Sequence, residues 1–216
     1  MSDPELADLD VIILDYGAGN LRSVVRAVER VGAKPEVASV AAAMDEADVV
    51  ILPGVGAAAD TMHNLRELRL IEPIREYIAA DRPFLGVCMG LQALMTVSEE
   101  GGEHPCLDVL EGRVVRLPEG RKIPHMGWNR VEQRRATPLF DGIPDGSHFY
   151  FVHSYCCDMA QPEDVVAVAE YGTDVTAVAE RGKLAATQFH PEKSGAYGLR
   201  IYRNFLLEHS GNGVSR

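Results

Sequence analysis

The period of the apolar positions changes along the chain, and that change divides it into two halves. Residues 10–17, "DVIILDYG", form a continuous apolar run that ends at a glycine. That is the pattern of a strand buried on both faces of a parallel sheet. In the following "AGNLRSVVRAVERVG", Leu21, Val24, Val25, Val28 and Val31 recur at helical spacing, and Gly32 supplies a stop. "PEVASV" predicts a short strand. "DVVILPGVG" (48–56) predicts another buried strand that runs into a glycine-rich turn. "LRELRLIEPIREYIAA" reads as helix with a start or kink at Pro73. "RPFLGV" reads as strand and "MGLQALMTVSEE" as helix. This alternation argues for a parallel sheet covered by helices on both faces, with functional loops at the carboxyl ends of its strands. Three glycine-bearing turns fall there: "DYGAGN", "LPGVGA" and "GVCMG".

The second half follows a different rhythm. "GRVVRLP", "GWNRVEQRR", "SHFYFVHSYCC", "DVVAVAEYG", "VTAVAERG" and "LAATQFHP" are short strands separated by turns, and Arg181-Gly182 is a hairpin signal. They predict an antiparallel or mixed extension of the sheet. "LRIYRNFLLEHS" closes the chain as an amphipathic helix with Ile201, Phe205 and Leu206 on one face. The expected organisation is a flexible tail over 1–9, one domain over 10–210 and a second tail over 211–216.

Composition narrows the function. The chain has 216 residues, of which 46% are hydrophobic, enough for one large core. No apolar run approaches the roughly 20 residues of a membrane span, and the acidic "MSDPELADLD" lacks the features of a signal peptide. A cytoplasmic protein is expected. The net charge of −11 argues against binding nucleic acid or an anionic membrane. Lysine supplies four of the 21 basic residues. That bias fits either a high-salt cytoplasm or a GC-rich genome, and unfolding measured in dilute and molar KCl distinguishes the two.

The four cysteines, Cys88, Cys106, Cys156 and Cys157, form no CxxC pair, so neither a disulfide framework nor a zinc site is expected. Cys156 and Cys157 are adjacent and point to opposite faces of a strand, as small buried residues; oxidation sensitivity is a second reading. No metal and no cofactor are implied.

Cys88 differs from the others. Gly86-Val87-Cys88-Met89-Gly90 has the form G-x-nucleophile-x-G. Glycines flank such a residue because the strand-to-helix turn is sharp and strained. The residue then stands at a helix N-terminus, where partial positive charge favours a thiolate, and the N–H of Met89 can hold an oxyanion. The alternative is a buried cysteine in a tight turn. His190, in "TQFHPEKSG", ends a predicted strand, and Glu192 projects to the same side two positions on. The three compose a nucleophile, a general acid/base and its orienter. The remaining histidines fit poorly. His63 falls on a helix surface, His104 and His125 fall in loops, and His148 and His153 flank a strand and are expected to share a face.

These residues carry a resemblance. "LPGVGA", "GVCMGLQAL" and "TQFHPEKSG" resemble class I, triad-type glutamine amidotransferases. "DYGAGNLRSV", "PHMGWN", "FYFVHSY" and "HPEKSG" narrow it to the glutaminase subunits of imidazole glycerol phosphate synthase, over about residues 10–209. The resemblance implies a flavodoxin-like three-layer class I glutaminase fold. It implies that Cys88 attacks the side-chain amide of glutamine, that His190 protonates the leaving ammonia and activates water, and that Glu192 orients His190. Backbone N–H groups of Val55 and Met89 would form the oxyanion hole. Gly56 and Gln92 would contact glutamine, and His153, Ser154 and Tyr155 would hold its α-groups. Ammonia would pass to a (β/α)8-barrel cyclase in histidine biosynthesis, with Asn20, Pro124, Met126, Trp128 and Lys193 at the interface. Asn20 has a second reading as a helix cap, Trp128 as a core aromatic and Lys193 as a solvated charge. Because Val55 is not glycine, rotating its peptide meets a steric barrier that partner binding would have to overcome.

Two other readings compete. A class I glutaminase for anthranilate, guanylate or pyridoxal phosphate synthesis shares the triad, and "YGAGN" and "HMGWN" argue against it. A flavodoxin-like stress protein with a redox cysteine would not need Gln92, the P-G-V-G turn or Glu192.

Overall fold

A computed structural model describes residues 4–210. The first half alternates β1 (Val11–Leu14), α1 (Leu21–Val31), β2 (Glu36–Ala38), β3 (Val49–Gly54), α2 (Ala58–Glu67), α3 (Ile71–Ala79), β4 (Phe84–Cys88) and α4 (Met89–Ala93). The second half supplies β5 (Met95–Ser98), β6 (His104–Pro105), β7 (Leu110–Arg116), β8 (His125–Arg130) and β9 (Glu132–Gln133). It continues with β10 (His148–His153), β11 (Tyr155–Met159), β12 (Val165–Glu170), β13 (Asp174–Arg181), β14 (Leu184–Thr187) and α5 (Gly195–Ser210).

The central sheet has eight strands in the order β2-β1-β3-β4-β14-β13-β12-β9. Strands β2, β1, β3, β4 and β14 run parallel. Strands β13, β12 and β9 extend the sheet antiparallel. This is the mostly parallel α/β sheet with an antiparallel extension that the sequence predicts. A four-stranded sheet, β11-β7-β5-β6, and the antiparallel pair β10-β8 complete the second half.

Alternation along the strands separates two cores. Ile13, Val49, Ile51 and Leu85 pack with Val24 and Val28 of α1 and Ile201 and Phe205 of α5. Ile12, Val50, Leu52 and Phe84 pack with Met62, Leu65, Ile74 and Tyr77 of α2 and α3 on the other face. Successive residues of one strand therefore feed opposite layers, which is why these strands are apolar throughout. Cys156 and Cys157 divide the same way, between a small separate cluster and the second core.

Several expectations are corrected. The segment 4–9 is not a loose tail: Pro4–Leu6 form a 3-10 turn, and Leu6 and Leu9 are buried with α1 and α5. Its two leucines find apolar partners despite the acidic residues around them. Residues 1–3 and 211–216 lie outside the described residues. The helix after Cys88 ends at Ala93, and Met95–Ser98 form a strand instead. Its backbone is drawn into sheet pairing with β6 and β7. The helical stretch around Pro73 breaks earlier, at Arg69, whose φ is 55°. Pro73 then sits in the first turn of α3, where its missing N–H costs nothing. His104 lies on β6 and His125 on β8, not in loops. His148 is exposed and His153 buried, because an odd number of positions separates them on one strand.

One contact fixes α4 on the sheet. A Cβ at Gly90 would run into the carbonyl oxygen of Leu52 on β3. Gly90→Ala should therefore push α4 away from β3. It is expected to cost about 1–3 kcal/mol, lowering the thermal unfolding midpoint by roughly 3–10 °C. A calorimetric scan within a degree of the wild type would refute that packing argument.

Candidate active site

The site begins with register. Parallel pairing sets Gly54 of β3 opposite Cys88 and Thr187 of β14 opposite Val87. The P-G-V-G turn thus leaves the sheet on one side of Cys88, and the Gln188–Glu192 segment on the other. A Cβ at Gly54 would meet the Met89 side chain and the Tyr16 hydroxyl, so the turn also has to be bare there. Cys88 has φ 55° and ψ −103°. A non-glycine residue holds such angles only where its surroundings enforce them. Here β4 fixes one side and α4 the other.

His190 and Glu192 occupy the 3-10 turn that follows β14. The His190 backbone N–H donates to the Tyr150 carbonyl at 2.9 Å. Ser194 locks the turn: its Oγ–H donates to the His190 carbonyl at 2.7 Å and accepts the Tyr150 N–H at 2.9 Å. The His190 Nδ1–H donates to Glu192 Oε1 at 2.8 Å, with both side chains almost fully buried. That bond fixes the tautomer and turns Nε2 toward Cys88. Burial pushes the His190 pKa down, but Cys88 and Glu192 outweigh it and raise it to about 9. Nε2 has no partner of ordinary hydrogen-bond geometry, yet Cys88 and Glu192 together favour its protonated form.

The Glu192 carboxylate has further partners. Asn20 Nδ2 donates to Oε1 at 2.6 Å, and the Tyr202 hydroxyl reaches Oε2 at 3.5 Å. Asn20 stands at the N-cap position of α1 with φ 68° and gives no side-chain cap bond. The capping reading of Asn20 is therefore replaced by contact with Glu192.

A cavity of about 360 Å³ opens in front of Cys88. Val55, Gly56, Met89, Gln92, His153, Ser154, Tyr155 and His190 line it, as do Pro124 and Lys193. The sequence-derived oxyanion and glutamine-contact residues are thus all on one wall system. Asn20 sits behind the triad instead. Met126 and Trp128 lie on β8 and are 61% and 57% exposed, which removes the core-aromatic reading of Trp128. Trp128 and Lys193 both approach Tyr150: the two ring centres are 6.2 Å apart, and Lys193 Nζ lies 6.0 Å from the Tyr150 ring centre.

Two buried histidines support the wall. His153 Nδ1 faces the Tyr155 carbonyl at 2.8 Å, so it carries a proton and Nε2 accepts. His125 Nδ1–H donates to that Nε2 at 2.9 Å, and His125 Nε2 accepts from Asn129 Nδ2 at 3.3 Å. Burial lowers both histidine pKa values to about 4. The pair is therefore neutral at physiological pH and acts as scaffold. Burial likewise raises Cys106 and Cys156 to about 11, and Cys157 well above its ordinary value. Those three thiols stay protonated, which argues against the oxidation-sensitive reading of Cys156 and Cys157.

Sequence reasoning missed Glu100, which lines the cavity and accepts the Ala58 N–H at 2.8 Å, capping α2. It also missed Ser194, Tyr202 and Gln188. Gln188 and Ser194 lie inside the quoted "TQFHPEKSG", so their position was visible although their bonds were not. Among the described residues, no three His, Cys, Asp or Glu side chains come together so as to hold a metal ion. Chemically, the arrangement offers a thiol and an imidazole of fixed tautomer around one cavity, a set suited to acyl transfer.

Comparison with known proteins agrees with that chemistry. A family model described as "Glutamine amidotransferase class-I" matches residues 12–209. An imidazole glycerol phosphate synthase subunit HisH from Dehalococcoides mccartyi (strain CBDB1) is 49% identical over 196 residues, covering 91% of this chain and 96% of its own. The protein of the same name from Chloroflexus aurantiacus is 50% identical over 200 residues, covering 91% of this chain and 94% of its own. Among solved structures, a glutamine amidotransferase superposes with a TM-score of 0.73 at 23% identity, over 93% of this chain and 98% of the other. A second glutamine amidotransferase, from Thermotoga maritima, gives 0.64 at 19% identity, over 95% of this chain and 99% of the other. The structural likeness supports the fold, and the sequence matches are decisive: the chain belongs to the class-I glutamine amidotransferases and, within them, to the family of imidazole glycerol phosphate synthase HisH subunits.

Proposed function

We propose that this chain is the glutaminase subunit of a cytoplasmic imidazole glycerol phosphate synthase, acting in histidine biosynthesis as one domain that takes in the packed segment from Pro4 together with residues 10–210. The observation that carries the reading is the meeting of Cys88, on its strained turn, with the buried His190–Glu192 pair at one cavity. The Cys88 thiolate attacks the side-chain amide carbon of glutamine. The carbonyl oxygen becomes an oxyanion, received by the backbone N–H groups of Met89 and Val55. His190, protonated at neutral pH, gives its proton to the leaving nitrogen, and ammonia departs from a thioester. His190 then takes a proton from water. The resulting hydroxide adds to the acyl carbon, the C–S bond breaks, and glutamate leaves.

Gly56, Gln92, His153, Ser154 and Tyr155 hold the substrate in this reading. Gln92 contributes Oε1, since both of its N–H groups are spent on Tyr155 and Gln188. Ammonia released into water at neutral pH would mostly become unreactive ammonium, so the cavity mouth has to be sealed by the barrel cyclase. Pro124 and Lys193 at the cavity, with the exposed Met126 and Trp128 on β8, offer apolar and cationic groups suited to that partner. Asn20 links the interface loop to Glu192.

Cys88→Ala should lower glutamine-dependent synthesis by the reconstituted complex at least about a thousandfold, while synthesis from added ammonium persists. Retained glutaminase activity in a coupled glutamate assay would overturn the reading. The Glu192 carboxylate favours the protonated form of His190, so Glu192→Gln should move the His190 imidazole titration downward from about 9, as read by NMR. An unmoved titration would show that the carboxylate does not set the charge of the imidazole. Lys193→Glu should weaken glutaminase stimulation by the cyclase without changing the unfolding midpoint. Normal stimulation would leave Lys193 as a solvated charge.

A further inference from the structure

Gln188 lies between β14 and His190 and is completely buried. The triad and the backbone oxyanion donors do not involve it. Its side-chain amide sits between Gln92 and the sulfur of Cys88. Which end of that amide faces the sulfur follows from the partners alone. The Tyr155 carbonyl can only accept, so the Gln92 atom 2.9 Å from it is Nε2. The second N–H on that nitrogen points to Gln188 at 3.0 Å and needs an acceptor, which makes the Gln188 atom Oε1. Gln188 Nε2 is then left facing Cys88 Sγ, 3.7 Å away. The Tyr155 carbonyl is itself held by His153 Nδ1, backed by His125. The direction of the Gln188 dipole is therefore set by a chain of buried groups and not by solvent.

We propose that Gln188 is a catalytic residue whose Nε2–H stabilises the Cys88 sulfur as an anion. The inference rests on Cys88 as the nucleophile. An N–H donated to a charged sulfur in a dry site favours thiolate over thiol. It acts twice in the reaction. In the free enzyme it raises the thiolate fraction. In thioester hydrolysis the C–S electron pair returns to sulfur as the bond breaks, and the same N–H receives the leaving thiolate. Among the described titratable groups, the His190 imidazole, the Tyr16 hydroxyl and the Cys157 thiol feel the charge of Cys88. Burial keeps Tyr16 and Cys157 neutral, raising Tyr16 to about 12 and Cys157 well above its ordinary value. Gln188 and His190 thus both oppose the thiolate charge.

The test is alkylation of Cys88 by iodoacetamide across pH, followed by mass spectrometry on the full chain. Relative to wild type, Gln188→Met should raise the midpoint by about one pH unit, a loss of roughly tenfold in thiolate at lower pH. Gln188→Glu keeps the bond from Gln92 but turns a carboxylate oxygen to the sulfur, and should raise the midpoint further. In the complex, kcat for glutamine should fall about tenfold for Gln188→Met with KM nearly unchanged. A purely structural role would lower the unfolding temperature and leave the midpoint in place, and that result overturns the proposal. In the wild type, the Gln188 side-chain amide protons should shift in NMR with the same midpoint as alkylation. Resonances that ignore it overturn the proposal even if the variants fail to fold. Alkylation is measured whether or not glutamine is turned over. An unmoved midpoint therefore counts against Gln188 alone, whereas full turnover by Cys88→Ala counts against the nucleophile.

Discussion

The site depends on β4 being clamped between β3 and β14 in a single register. Gly54 opposite Cys88 delivers the glycine turn, and Thr187 opposite Val87 delivers the histidine segment. Slipping either pairing by one residue would turn a full row of side chains to the wrong core. The apolar pattern of β3, β4 and β14 thus fixes the placement of Cys88 and His190 as a by-product of filling two hydrophobic layers. The bare glycines let α4 settle close enough on β3 to hold Cys88 in its unfavourable backbone conformation.

Burial then selects among chemically similar groups. Cys106, Cys156, Cys157, His125 and His153 are pushed to their neutral forms by loss of water. His190 is equally dry, yet it is pushed the other way because Cys88 and Glu192 supply opposing charge. Desolvation alone discourages ionisation, and desolvation with an oriented partner promotes it. Glu192 can serve because Asn20 and Tyr202 bind its oxygens. One carboxylate thus ties together the loop after β1, the turn after β14 and the helix α5.

Much of this was legible in the chain. Continuous apolar runs marked the parallel strands, and the hairpin at Arg181-Gly182 formed with Arg181 paired to Leu184. The nearness of Cys88, His190 and Glu192 followed from spacing and type. What escaped notice depended on tertiary pairing. Met95–Ser98 has a sequence compatible with helix, and neighbouring strands claimed its backbone. His125 looked like a loop residue because "PHMGWN" is broken by proline and glycine, although it pairs with His153 across β8 and β10. The partners of Asn20 and Gln188 are remote in sequence, and no local pattern encodes such contacts. Leu6 was hidden by its acidic neighbours.

Leu6 and Leu9 also bear on where this domain begins. The match to the family model starts at residue 12, but packing starts earlier. Two leucines upstream of that boundary fill space beneath α1 and α5, each contributing about 1.5–3 kcal/mol of burial. The evolutionary unit and the cohesive unit therefore differ at their edge. A variant trimmed to the limits of the similarity would keep every group around Cys88 and yet leave a void in the layer that supports the C-terminal helix. Such a protein would lose its active site indirectly, through Tyr202 and the turn that leads into α5.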